Sequence, residues 1–154
     1  MHLAGGHAGH AYAVDRVTQW QTGDMALDPS NLSDDVLGFL SERHLATLTT
    51  LRPDGSPHVV AIGFTWDDDA RLARVITWDA SQKAVNVARG GTRAVVCQVD
   101  GGRWLALEGK ARLATDPESC QEGERRYAER YSEPAQRDDR AIIEIVVDTV
   151  LGRA

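Results

Sequence analysis

Between Arg103 and Ala114 the chain alternates with a period of two. Leu105, Leu107, Gly109, Ala111 and Leu113 fall on one side, and Trp104, Glu108, Lys110 and Arg112 on the other. Successive side chains of an extended backbone point to opposite faces, so this run is a long strand with one apolar and one largely polar face. No other stretch alternates as cleanly, and it commits the fold to a sheet.

The rest of the chain reads in the same terms. Ser33-Asp34-Asp35 opens an amphipathic helix carrying Val36, Leu37, Phe39 and Leu40 and ending near His44: a serine cap, then acids that suit the helix dipole. Leu45–Leu51 and Pro57–Trp66 form a hairpin about the turn Pro53-Asp54-Gly55-Ser56. In its second strand His58, Val60, Ile62, Phe64 and Trp66 share a bulky face. Val59, Ala61, Gly63 and Thr65 share a bare one, which suits either a flat ring lying on the backbone or a tight sheet crossing. After the turn Asp67-Asp68-Asp69 comes a third strand, Leu72–Trp78, and a short helix to about Arg89, stopped by Gly90-Gly91. Arg93–Val99 is a fourth strand, turned at Asp100-Gly101-Gly102 into the fifth, Arg103–Ala114. Asp116-Pro117-Glu118 starts a helix to about Tyr131, and Ala141–Leu151 is a sixth strand. Tyr127 and Tyr131, four apart, face the same way and read as packing. Six strands joined mostly by tight turns, with three short helices, predict a mainly β fold, an antiparallel barrel. No Gly-x-Gly-x-x-Gly joins a strand to a helix, which excludes a dinucleotide-binding parallel sheet.

At 154 residues the chain fits one domain. Residues 1–30, with His2, His7, His10 and several glycines, read as a flexible tail without the features of a secretory signal, which leaves 31–154 as the domain. A formal charge of −6 disfavours nucleic acid as a partner. No stretch approaches the roughly 20 apolar residues of a membrane span. Cys97 and Cys120 have neither the number nor the spacing of a disulfide framework or a metal site, and a cytoplasmic protein is expected.

Chemistry concentrates in Arg74–Asn86, where a β-branched run gives way to Ser81-Gln82-Lys83 at a helix start. Such a place can cradle phosphate: Ser81 caps, Gln82 donates, Lys83 neutralises. No Ser-His-Asp or Cys-His set is arranged as a motif, and His44 and His58 alone make no general base, so no catalytic residue and no metal ligand is assigned.

The order helix, hairpin, strand, Ser-Gln-Lys helix, hairpin, helix, strand resembles the split β-barrel flavin and deazaflavin reductases of the pyridoxamine 5′-phosphate oxidase-like superfamily, over about residues 32–154. Leu45-Ala46-Thr47-Leu48-Thr49-Thr50-Leu51, Ser56-Pro57-His58-Val59-Val60-Ala61, Ala73-Arg74-Val75-Ile76-Thr77, Ser81-Gln82-Lys83-Ala84-Val85-Asn86 and Arg103-Trp104-Leu105 resemble its F420-dependent branch, the biliverdin-reducing members in particular. The resemblance implies a six-stranded, FMN-binding-like split barrel that forms a homodimer with a cofactor groove at each interface. It also implies hydride transfer from reduced coenzyme F420 to a conjugated, tetrapyrrole-like acceptor, biliverdin going to bilirubin. Its cofactor contacts fall on His58, Val59, Val60, Ala61, Ile76, Thr77, Gln82, Lys83 and Arg89, with Gln98 and Trp104 as further candidates, presented by the partner subunit. Trp78, at the rim, departs from the family's pattern. Arg126, Arg130, Arg137 and Arg140 are available for substrate carboxylates. An FMN-dependent oxidase or reductase on the same barrel, or a non-catalytic flavin, deazaflavin or haem module, stays open as an alternative.

Overall fold

The structure, a computed structural model, describes residues 25–154. One antiparallel sheet of eight strands comprises β1 (Ala26–Leu27), β2 (Ala46–Leu51), β3 (Pro57–Ile62), β4 (Thr65–Asp67), β5 (Leu72–Trp78), β6 (Arg93–Asp100), β7 (Arg103–Ala114) and β8 (Arg140–Arg153). Three helices accompany it: α1 (Asp34–Ser41), α2 (Gln82–Ala88) and α3 (Pro117–Arg130). The strands lie in the order β3-β2-β6-β7-β8-β5-β4, and β1 pairs with the far end of β8 through Ala26↔Leu151 and Leu27↔Val150. Among the described residues no helix is long and apolar enough to cross a membrane.

The two ends of this strip are neighbours in the chain, because β3 stops at Ile62 and β4 starts at Thr65. Gly63-Phe64 therefore closes the barrel covalently, where a hydrogen-bonded ladder would otherwise run. Here the structure departs from the six strands expected. Pro57–Trp66 is two strands, and the bend between them changes which side chains point inward: Ala61 is exposed while Thr65 is buried. The bare face thus ends at the bend. A Cβ on Gly63 would lie 3.0 Å from the rings of Tyr127 and Tyr131, so aromatic packing fills that space. Those two rings sit 4.9 Å apart. The Tyr131 hydroxyl accepts from the Phe64 N–H at 3.1 Å and donates to the His44 carbonyl at 2.7 Å, pinning the bend to α3.

β7 forms as its alternation requires, with Leu105, Leu107, Gly109 and Ala111 buried. Its ladder with β8 shifts register between Glu108 and Gly109, and Asp148 is the extra residue. A Cβ on Gly109 would stand 1.9 Å from the Val146 carbonyl oxygen, so only glycine fits at the bulge. The bulged Asp148 accepts from Arg93 at 2.7 and 2.9 Å. Leu48, Val96, Leu105, Leu107, Ile143 and Ile145 fill the core, and α1 adds Val36, Phe39 and Leu40. α1 is capped by Ser33, whose Oγ accepts from the Val36 N–H at 3.4 Å, and it ends at Ser41, earlier than the expected His44. α3 lies on β5 and β8 through Gly123, where a Cβ would collide with Ile142.

Of the expected tail, 1–30, the described end carries β1, whose Leu27 packs against the core. His2, His7 and His10 lie outside the described residues.

Candidate functional site

The end of β5 and the start of α2 are tied by one buried hydroxyl pair. Thr77 Oγ1 and Ser81 Oγ share a hydrogen bond of 2.8 Å, and Ser81 Oγ caps the helix by accepting from the Ala84 N–H at 3.3 Å. Both side chains are buried. Ser81 caps α2 as the sequence predicts, and its bond to Thr77 braces the turn from β5 into the helix. What they hold in place is Gln82 and Lys83.

α2 is joined in turn to the hairpin. Gln82 Nε2 donates to Asn86 Oδ1 at 2.8 Å, and the buried Asn86 donates to Thr50 Oγ1 on β2 at 3.0 Å. Arg89 Nη2 donates to the Leu51 carbonyl at 2.5 Å. Thr50 pairs with His58 and Leu51 with Pro57, so this relay brings His58, Gln82 and Arg89 around one end of β2. β3 pairs with β2 alone and ends the strip, leaving its outer backbone edge open among the described residues.

Two features of this region suit it to an anion with a polar ring system. Lys83 is half-buried without an acidic partner among the described residues. Its ammonium rests 4.9 Å from the centre of the Trp78 ring, and burial lowers its pKa below the ordinary lysine value. An ammonium kept from water with only an indole for company gains most from an incoming phosphate. The second feature is His58, whose Nδ1 is buried and unpartnered among the described residues. Buried polar atoms are normally satisfied, so an orphaned ring nitrogen beside an open strand edge awaits a partner. These residues fit a phosphate-bearing deazaflavin or flavin.

The other expected contacts divide. His58 and Val60 face the barrel, Val60 packing on the core, whereas Val59 and Ala61 face out and are exposed. All four can meet one ligand only along the open backbone edge. Ile76 is partly buried on the outer side of β5. Gln98 is corrected: it is fully buried, donating to the Phe39 carbonyl at 2.8 Å and accepting from Arg130 at 2.7 Å, so it is a core tie under α1. Trp104 lies on the outer face of β7, opposite Val99 and Arg153, away from the cradle of its own protomer.

Two clusters escaped the sequence. A cleft of about 320 Å³ opens beside β5, lined by Ile76, Thr77, Trp78, Tyr127 and the loop from Ser132 to Arg140. Its only sequence signal was Trp78 standing where the family pattern departs. Glu42, His44 and Asp100 also converge. Arg103 answers both carboxylates, at 2.9 Å to Glu42, and together with His44 it holds the Glu42 carboxyl down to about 2; this is a surface ion cluster.

Residues 32–154 match the family described as pyridoxamine 5′-phosphate oxidase. The chain is 56% identical over 125 residues, 81% of this chain and 90% of the relative, to an F420H2-dependent biliverdin reductase of Mycobacterium tuberculosis (strain CDC 1551 / Oshkosh). Among solved structures it resembles a conserved hypothetical protein from Mycobacterium tuberculosis, with a TM-score of 0.68 and 26% identity over 80% of this chain and 85% of that one. It also resembles an F420 reductase, with a TM-score of 0.56 and 25% identity over 76% and 92%.

Proposed function

The chain belongs to the pyridoxamine 5′-phosphate oxidase family, and on that premise we propose that it is an F420-dependent oxidoreductase that reduces biliverdin to bilirubin. The observation that carries this reading is the half-buried Lys83, uncompensated by any acid among the described residues, beside the open edge of β3. The 56% identity to an F420H2-dependent biliverdin reductase supports the choice of cofactor and acceptor.

When bound, a reduced deazaflavin supplies a hydride in a single two-electron step; the protein supplies binding and orientation. Lys83 neutralises the phosphate, with Gln82 and Arg89 at the mouth of the same relay. The free edge of His58–Ala61 offers main-chain groups to the ring system, and His58 Nδ1 offers one side-chain contact. Ile76 floors the approach from β5. No side chain of this set is placed as a proton donor, so the proton that completes reduction at nitrogen comes from solvent or substrate. Rate then depends on holding two planar systems at roughly 3–3.5 Å between reacting atoms.

The protein works as a homodimer through the outer face of β3, β2, β6 and β7. Across that face one row runs Ala61, Thr47, Cys97, Ala106, Leu151 in register. Val59 and Val99, exposed by 56% and 61%, flank it as apolar surface that a second copy would cover. Trp104 on this face then reaches the partner's groove. The compartment is the cytoplasm, where the free thiols Cys97 and Cys120 stay reduced.

Fluorescence titration with F420 and with FMN, followed by turnover of biliverdin with reduced F420, tests the reading. Tight F420 binding with bilirubin formation is expected. Binding of FMN alone, or F420 binding without turnover, would replace it with the flavin enzyme or the carrier module respectively.

A further inference from the structure

The four arginines near α3 and the loop after it differ in what they are free to do. Arg126 is held by Asp67 at 2.9 Å and by Glu122 at 2.5 Å. Arg130 is spent on the carbonyls of Glu42 and Phe64 and on Gln98. Arg140, 9% exposed, donates to Glu124 and to the carbonyls of Thr77 and Ala135, which makes it the bolt that fastens the loop to β5. Among the described residues Arg137 is hydrogen-bonded to Asp139 alone, two residues on, at 2.8 and 2.9 Å, with Asp79 a further negative charge nearby, and the two paired side chains are 39% and 42% exposed. An ion pair that open to solvent holds its partners weakly and exchanges them readily.

Arg137 also stands where exchange would matter. Its guanidinium lies 5.0 Å from the centre of the Trp78 ring, the same indole that Lys83 approaches from the cradle. The cleft behind it, about 320 Å³, has an apolar floor of Ile76, Tyr127 and Pro134 and an aromatic wall in Trp78, and the exposed Glu133 is the one acid in its lining. Ligand sites span about 300–1,000 Å³, so this one suits an arm of a large acceptor and not the whole of it. Because Ile76 belongs both to the cleft and to the expected cofactor strand, an arm seated here leaves the rest of the acceptor beside the cradle.

We propose that this cleft is a carboxylate subsite for the acceptor: one propionate arm lies along Trp78, and Arg137 leaves Asp139 to pair with the arm's carboxylate. Bidentate geometry makes arginine the suited group, and the indole supports both the arm and the guanidinium. The proposal rests on the reading of the chain as a tetrapyrrole reductase.

The test compares biliverdin with its dimethyl ester, whose arms carry no charge, by equilibrium binding to the cofactor-free protein read through tryptophan fluorescence. The wild type is expected to prefer the acid. Arg137→Gln should weaken acid binding roughly tenfold, the size of one charge-assisted hydrogen bond, leave ester binding and F420 affinity unchanged, and so erase the preference; Arg137→Lys should restore part of it. Retained preference in Arg137→Gln, or its loss in Lys83→Ala instead, overturns the subsite while turnover of biliverdin leaves the activity standing. A wild type that binds F420 and neither binds nor reduces biliverdin removes the activity and the subsite together. Arg137 is exposed, and an unchanged circular dichroism spectrum and melting temperature show that the variants are folded.

Discussion

α2 and α3 both carry cations toward β5, and they treat them oppositely. On α3, Arg125 and Arg126 are met by Glu122, Arg125 also by Glu129, and Arg130 by main-chain carbonyls and Gln98. On α2, Lys83 has no acid among the described residues and rests on an indole, and Arg89 reaches only carbonyls. A helix whose charges are answered within the chain is scaffold. One whose charge is sheltered and left unanswered holds binding energy in reserve for a ligand. The difference supports the proposal that Lys83, and not the arginines of α3, meets the cofactor.

The contrast breaks most visibly at Arg130. Arg130→Ala leaves the buried Gln98 amide oxygen without its donor, whereas the Phe64 carbonyl keeps the Tyr131 hydroxyl and Glu42 is exposed, and one unpaired buried group costs about 1–3 kcal/mol. A loss of about 1–3 kcal/mol by denaturant unfolding is expected; an unchanged midpoint would show that α3 is not held by this cation. Lys83→Ala should do the reverse. Melting temperature should hold, since removing a desolvated ammonium relieves a burial cost, while the F420 dissociation constant rises about tenfold, one charge-assisted bond. A sharp fall in melting temperature with unaltered affinity would class Lys83 with the scaffold.

A pH titration of cofactor affinity sharpens the same point. Burial lowers the Lys83 pKa, and phosphate binds the protonated ammonium. Affinity therefore falls as pH rises through that lowered pKa, sooner than it would for an ordinary lysine. In Lys83→Ala this limb should vanish. The smallest effect is expected at Arg125, exposed and paired along its own helix: Arg125→Ala should change neither melting temperature nor affinity measurably.

What the sequence revealed depended on range. β5 and β7 were legible to the residue, since a period of two is a local property, and the Ser33, Ser81 and Asp116 caps were legible for the same reason. The break at Gly63-Phe64 was not. An apolar run crosses it without interruption, and only the docking of Tyr127 and Tyr131, more than sixty residues away in the chain, bends it. Gln98 misled because its alternation was right and its partners, Phe39 and Arg130, are distant in sequence. Lys83 stood out at once, whereas the distinction between Arg137 and its three neighbours exists only in the pairing.

The position of β8 in the sheet has a consequence for how the molecule is made. This strand lies between β7 and β5, yet it follows both in the chain. A nascent chain leaves the ribosome with β3-β2-β6-β7 and β5-β4 as two half-sheets linked through Gly63-Phe64, and neither has its inner neighbour. Until residues 140–153 emerge, β7 and β5 present bare edges, the kind that pair with other chains. Closure must therefore wait for late synthesis, through long-range contacts such as Leu72↔Val146 that fold slowly. A ribosome that stalls between β7 and β8 would expose two sticky half-barrels whose inner edges the finished chain pairs through β8.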